Sequence, residues 1–175
     1  MQDHPSRRLV GGSGRSTFIM PQDFEISVAN QQSRHPVDEE QLCGAVRAVL
    51  RDSKFTSASI SVAVVDDAAI QELNRRFLNH DWPTDVLSFV LDEQNDHLDG
   101  EVIISADTAA TAAAEAAWPA AAEQSLYVIH GTLHLVGYRD KTLTEARKMR
   151  AAEAKYLRQI GFELSRQVQG GATSR

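Results

Sequence analysis

The apolar residues of this chain change period as the sequence advances, from two to about 3.6 and back, and that alternation limits the fold more than any other feature. Phe24, Ile26 and Val28 interleave with Glu25 and Ser27, the pattern of a half-buried strand. Leu42, Val46, Val49 and Leu50 then recur at helical spacing behind Asp38, a residue suited to cap a helix. Ile60, Val62 and Val64 return to period two and continue into Val65, a second strand. Asp66 or Asp67 can cap the next helix, whose Ile70, Leu73 and Phe77 suit one buried face. Pro83 ends that pattern, and Val86, Leu87, Phe89 and Val90 make a short buried strand. Asp92 to Gly100 is rich in turn residues and reads as a polar loop. Glu101 to Ser105 forms a fourth strand, paired with the third as a hairpin.

Residues 106–117 are dominated by alanine, the strongest helix former. Trp118-Pro119 interrupts that helix, and proline suits the first position of a new one. The new helix carries Leu126, Ile129 and Leu133 inward and stops at Gly137. Thr142 with Glu145 reads as a capping box for a last helix reaching about Ile160. There is no internal repeat. The pattern predicts an α+β fold of about four strands and about five helices, and 175 residues at 19.3 kDa suit a single domain. Residues 1–20 are rich in Arg, Ser and Gly without periodicity, and Gly11 to Gly14 resembles linker, so a disordered extension is expected there. The folded domain is expected over 21–165, with a flexible tail over 166–175.

No apolar run approaches the ~18 residues that a membrane span needs, and the first twenty residues lack the apolar core of a secretory signal. The single cysteine, Cys43, allows no internal disulfide. A cytoplasmic protein without a membrane partner is the expectation. The net charge of −6 hides an asymmetry, −11 over residues 1–129 and +5 over residues 130–175. A wholly acidic chain would be a poor nucleic-acid binder, but the basic C-terminal third keeps that class open.

That basic third opens with the segment HGTLHLVGYRD, residues 130–140. His130 and His134, four apart on a helix, lie one turn from each other on one face, the spacing two nitrogens need to grip one metal ion. Gly137 lets the chain leave the helix, and Asp140 can swing back as a third ligand; Thr142 already caps the next helix and leaves that carboxylate available. Ligands at relative positions 0, 4 and 10 with glycine at 7 follow the zinc arrangement of metzincin proteases. In those enzymes a glutamate general base follows the first histidine; here that position is Gly131, which weakens a peptidase or general metallohydrolase reading. Three protein ligands with an open fourth position describe a catalytic site, whose ion acidifies bound water and polarises phosphoryl oxygens.

The same segment resembles the YbeY family of bacterial metal-dependent endoribonucleases, whose signature is H-G-x-L-H-L-x-G-Y-D-H. Seven of its nine specified positions are matched: His130, Gly131, Leu133, His134, Leu135, Gly137 and Tyr138. A second block, L-N-x-x-F-x-x-x-D-x-P-T-D-V-L-S-F, is present as Leu73-Asn74, Phe77, Asp81 and Pro83 to Phe89. Gly100-Glu101-Val102 resembles the family's G-D-I strand, and Met149 and Glu153 stand where the family has Met and Glu. The resemblance spans roughly residues 60–163.

The resemblance implies a mixed sheet flanked by helices and one divalent ion, Zn2+ first and Mn2+ as an alternative, on three histidines. It also implies cleavage of single-stranded rRNA in maturation of the small-subunit 3′ end and in ribosome quality control, with the small ribosomal subunit and its assembly factors as partners and no DNA. The family's first two histidines fall on His130 and His134; the third falls on Asp140, preceded by Arg139 in place of aspartate. Leu78 stands where the family has an arginine suited to clamping phosphate, and Arg75, one turn back, or Arg139 are candidates to cover that ground. Glu101 replaces an aspartate and is a candidate to orient a metal ligand. Thr84, Asp85 and Ser88 are expected to shape the cleft beside the metal, and Lys141 to join Arg75 and Arg139 in contacting phosphate. Trp82 has the chemistry to stack a base, although packing is the simpler role, and His80 and His97 are expected to be solvated in loops. A metal-stabilised ribosome assembly factor without catalysis is the alternative, favoured by the acidic net charge and by Leu78.

Overall fold

The computed structural model describes residues 22–163. The expected extension over 1–20 and tail over 166–175 lie outside the described residues. The elements follow in the order β1 (Asp23–Asn30), α1 (Glu39–Arg51), β2 (Ser57–Val65), α2 (Asp67–Leu78), β3 (Val86–Gln94), β4 (His97–Ser105), α3 (Ala106–Ala116), α4 (Ala120–Leu135) and α5 (Leu143–Gln159). The four strands make one sheet in the order β1-β2-β4-β3. β1 and β4 run parallel to β2, and β3 runs antiparallel to β4, so the sheet is mixed as expected.

Local chemistry sets the element boundaries. Asp38 accepts the Gln41 amide at the start of α1, and Asp66, not Asp67, accepts the Ala69 amide at the start of α2. Thr142 and Glu145 form a reciprocal capping box on α5. Gly137 ends α4 at φ +102°, and the Tyr138 amide reaches back to the Leu133 carbonyl at 2.9 Å, closing the last turn.

The main core lies between one face of the sheet and helices α1, α4 and α5. Leu42, Val46 and Leu50 meet Ile60, Val62, Val102, Ile104, Ile129, Leu133 and Leu157 there. The other face carries a smaller cluster of Val65, Ile70, Leu87 and Ile103 beneath α2. α4 is buried on nearly every side, and Gly131 is what lets it lie so close to the sheet. A β-carbon at Gly131 would stand 2.7 Å from Val102 Cγ1 and 3.0 Å from Val86 Cγ2.

Several expectations change. The segment Asp92 to Gly100 is not a loop: β3 and β4 continue through it, and the turn shrinks to Asn95-Asp96. Asn95 takes the left-handed conformation at φ +55°, which asparagine tolerates, and a bulge between Val90 and Asp92 resets the register. His97 consequently sits in β4, partly buried, with Ser57 Oγ at 2.8 Å and Asp99 Oδ1 at 3.0 Å. Phe77 does not join the buried face of α2; it is 57% exposed, with its ring 5.4 Å from that of Phe89. Asn74 takes the inward position instead, because its amide holds the Trp82 carbonyl. Trp82 itself is 51% exposed and does not pack in the core. Pro119 is the N-cap of α4 rather than its first residue.

Candidate metal centre

α4 brings His130 and His134 side by side at its C-terminal end, where the chain turns at Gly137 and returns with Asp140. The two Nε2 atoms are 3.0 Å apart, and Asp140 Oδ2 lies 3.8 Å from that of His130 and 3.7 Å from that of His134. Among the described residues these three form the one His/Cys/Asp/Glu group placed to hold a metal ion.

The opposite ring nitrogens are both committed. His134 Nδ1 donates to the Tyr138 carbonyl at 3.1 Å, and His130 Nδ1 donates to Glu153 Oε1 at 2.7 Å. Carbonyl and carboxylate oxygens only accept, so each ring carries a proton on Nδ1, and in the neutral ring the Nε2 lone pair is left for a ligand. At 3.0 Å the two Nε2 atoms need a cation between them, either a proton shared as N–H···N or a metal ion that both ligate. Bonds of about 2.0–2.1 Å at tetrahedral angles put donor atoms about 3.3 Å apart. The observed 3.0, 3.7 and 3.8 Å bracket that value, so the donor set fits a divalent ion.

The electrostatics differ between the rings. Burial works against protonating His130, but Glu153, aided by Asp85 and Asp140, outweighs it and raises the pKa above the ordinary histidine value. Burial and the neighbouring His130 lower that of His134, which keeps the ring neutral and ligand-ready.

The three ligands open into a cleft of about 580 Å³. Asp85, Ser88, Arg139 and Lys141, all singled out from the sequence, line it together with Leu78 and Phe89. Asp85 Oδ1 accepts from the Val86 amide at 2.8 Å and the Thr84 hydroxyl at 3.0 Å, so Thr84 steadies the wall without lining it. Arg139 donates to the Tyr138 and His134 carbonyls at 2.8 and 3.2 Å, which fixes its guanidinium over the end of α4.

Two sequence candidates lie elsewhere. Arg75 is exposed on α2, paired with Glu72 at 2.7 Å, and is not among the residues lining the cleft. Glu101 alternates with the core-facing Gly100 and Val102, so it points to the opposite face of the sheet, into a hollow shared with Leu73, Phe77 and Ile103. The position behind a metal ligand is held by Glu153, twenty-three residues from its histidine. The sequence signal for it was an acid one turn after the buried Met149 on α5, and its side chain is only 14% exposed. Gly131 also explains the missing protease base, since a side chain there would collide with Val86 and Val102 instead of entering the cleft.

Comparison with known proteins assigns the chain to a family. The family model described as endoribonuclease YbeY matches residues 27–161. An endoribonuclease YbeY from Syntrophotalea carbinolica is 41% identical over 145 residues, covering 79% of this chain and 97% of that protein. One from Moorella thermoacetica is 39% identical, covering 79% of this chain and 99% of its own. A solution structure of a Thermotoga maritima protein superposes with a TM-score of 0.55 at 27% identity, covering 78% of this chain and 88% of that one. With the family model spanning nearly all of the described fold, from β1 to the end of α5, this chain belongs to the YbeY family of endoribonucleases.

Proposed function

We propose that the chain cleaves single-stranded rRNA, in maturation of the small-subunit 3′ end and in ribosome quality control, with the small subunit and its assembly factors as cytoplasmic partners. The observation that carries this reading is the pair of Nε2 atoms with the Asp140 carboxylate in a cleft that Arg139 and Lys141 also line.

His130, His134 and Asp140 would hold one divalent ion, which when bound supplies Lewis-acid polarisation of a phosphoryl oxygen. Zn2+ suits the two imidazoles, and a carboxylate in place of a third imidazole also admits harder ions such as Mn2+. Arg139 and Lys141 offset the negative charge of the phosphate and of the developing transition state. Asp85 and Ser88 offer an acceptor and a hydroxyl to the ribose from another part of the cleft wall. Glu153 fixes the ring of His130, and the Tyr138 carbonyl that of His134.

The test is metal content of the purified full chain alongside cleavage of a single-stranded rRNA 3′-end fragment, with and without chelator, for wild type and His134→Ala. Cleavage that needs both the metal and His134 is expected. Metal-loaded wild type that leaves the fragment intact would overturn the reading and favour an assembly factor without catalysis.

A further inference from the structure

The loop that joins α2 to β3 begins and ends on the metal cleft, since Leu78 and Asp85 both line it. Trp82 stands between those ends, three residues before Asp85, so its Cα is at most about 11 Å from that of Asp85. Its indole is 51% exposed and stacks on the imidazole of His80, with ring centroids 4.6 Å apart and planes 14° from parallel. The loop that presents this pair is tied down. The buried Asn74 amide donates to the Trp82 carbonyl at 2.9 Å. Gln71 donates to the carbonyl and carboxylate of Asp81 at 3.3 and 3.1 Å, and the His80 amide returns to the Asn74 carbonyl at 3.3 Å. Pro83 fixes the backbone on the far side.

A large indole left half exposed on a pinned loop needs a reason, because its apolar surface gains nothing in water. His80 covers one face of the indole while half of the residue's surface stays open, and a flat π-surface left open in this way takes another ring. Arg139 and Lys141 in the adjoining cleft supply charge for phosphates but no surface for bases. Single-stranded RNA requires both, since its unstacked bases seek aromatic faces while its backbone seeks cations. We infer that the stacked His80–Trp82 pair is a nucleobase platform on the rim of the cleft, holding one base of the single-stranded substrate beside the reacting phosphate. This inference rests on the endoribonuclease reading above. It also predicts a preference for single strands, because a base inside a duplex has no free face to offer.

The test measures Kd of the metal-loaded full chain for a short single-stranded 2′-O-methyl oligoribonucleotide and for an abasic oligonucleotide of equal length. Wild type, Trp82→Ala and Trp82→Phe are compared. Trp82→Ala is expected to weaken binding of the base-bearing strand about ten-fold or more and to leave abasic binding unchanged. Trp82→Phe should keep most of the affinity while losing the quenching of tryptophan emission that wild type shows on binding. Equal weakening for both strands would overturn the platform, since a merely loosened loop affects both. Trp82→Ala binding within two-fold of a wild type that cleaves RNA would overturn the platform alone. Wild type that neither binds nor cleaves would overturn the platform together with the reading it rests on.

Discussion

Replacing Gly131 with alanine tests how tightly α4 is seated on the sheet. The new β-carbon would lie 2.7 Å from Val102 Cγ1 and 3.0 Å from Val86 Cγ2, well inside contact distance. Both neighbours are β-branched and stiff about χ1, and Val102 is fully buried between sheet and helix, so neither can swing aside. Overpacking of this kind costs about 1–3 kcal/mol, and these rigid neighbours place it at the upper end. Alanine recovers about 1 kcal/mol over glycine through helix propensity. The net loss is therefore about 1–2 kcal/mol, or a fall in Tm of about 2–8 °C for a domain of this size. Thermal unfolding followed by circular dichroism reads it. Val102→Ala alone leaves a cavity and destabilises, but with Gly131→Ala the added methyl fills that space, so the double variant should be less destabilised than the two losses combined. A Gly131→Ala protein that melts with wild type, or a strictly additive double variant, would refute the close-approach argument.

Glu153→Gln keeps the shape behind His130 but removes the charge, and should weaken metal affinity about 10–100-fold, measured by chelator competition, with the fold retained. Asp140→Ala should lower metal content as well; undiminished content would remove Asp140 from the ligand set. Arg139→Ala and Lys141→Ala should each reduce the salt dependence of RNA binding by about 0.7 in the log–log slope expected for a single strand. Asp52 joins the end of α1 to Lys155 and to the Tyr156 hydroxyl on α5, and the Lys155 hydrogen bond holds its carboxyl pKa below the ordinary value. A depressed carboxylate stabilises above its unfolded pKa, and that contribution disappears as pH falls through its folded one. Asp52→Asn should therefore be less stable than wild type at neutral pH by a small margin, with the difference closing in urea unfolding as acid protonates the Asp52 carboxylate.

What the sequence determined by itself was whatever a few consecutive residues decide. The i, i+4 spacing of His130 and His134 puts both rings on one face of any helix, and Gly137 supplies the left-handed exit that returns Asp140 to them. Asp38, Asp66 and Thr142 cap their helices through backbone amides three residues away, so those boundaries were legible too. The turn residues of Asp92 to Gly100 misled, because a two-residue turn needs only Asn95 in an unusual conformation, and cross-strand pairing carried the rest into β3 and β4. Glu153 reached His130 only once α5 had packed on α4. Glu101 was turned away by strand alternation against a core whose position the sheet order sets, and Arg75 was taken by Glu72 on its own helix. The closeness of α4 to the sheet, which makes Gly131 a steric necessity, depends on Val86 and Val102 arriving from two strands far away in the chain. Short-range geometry follows from bond lengths and helix pitch, whereas contacts across tens of residues depend on strand order, register and packing, which only the assembled core decides.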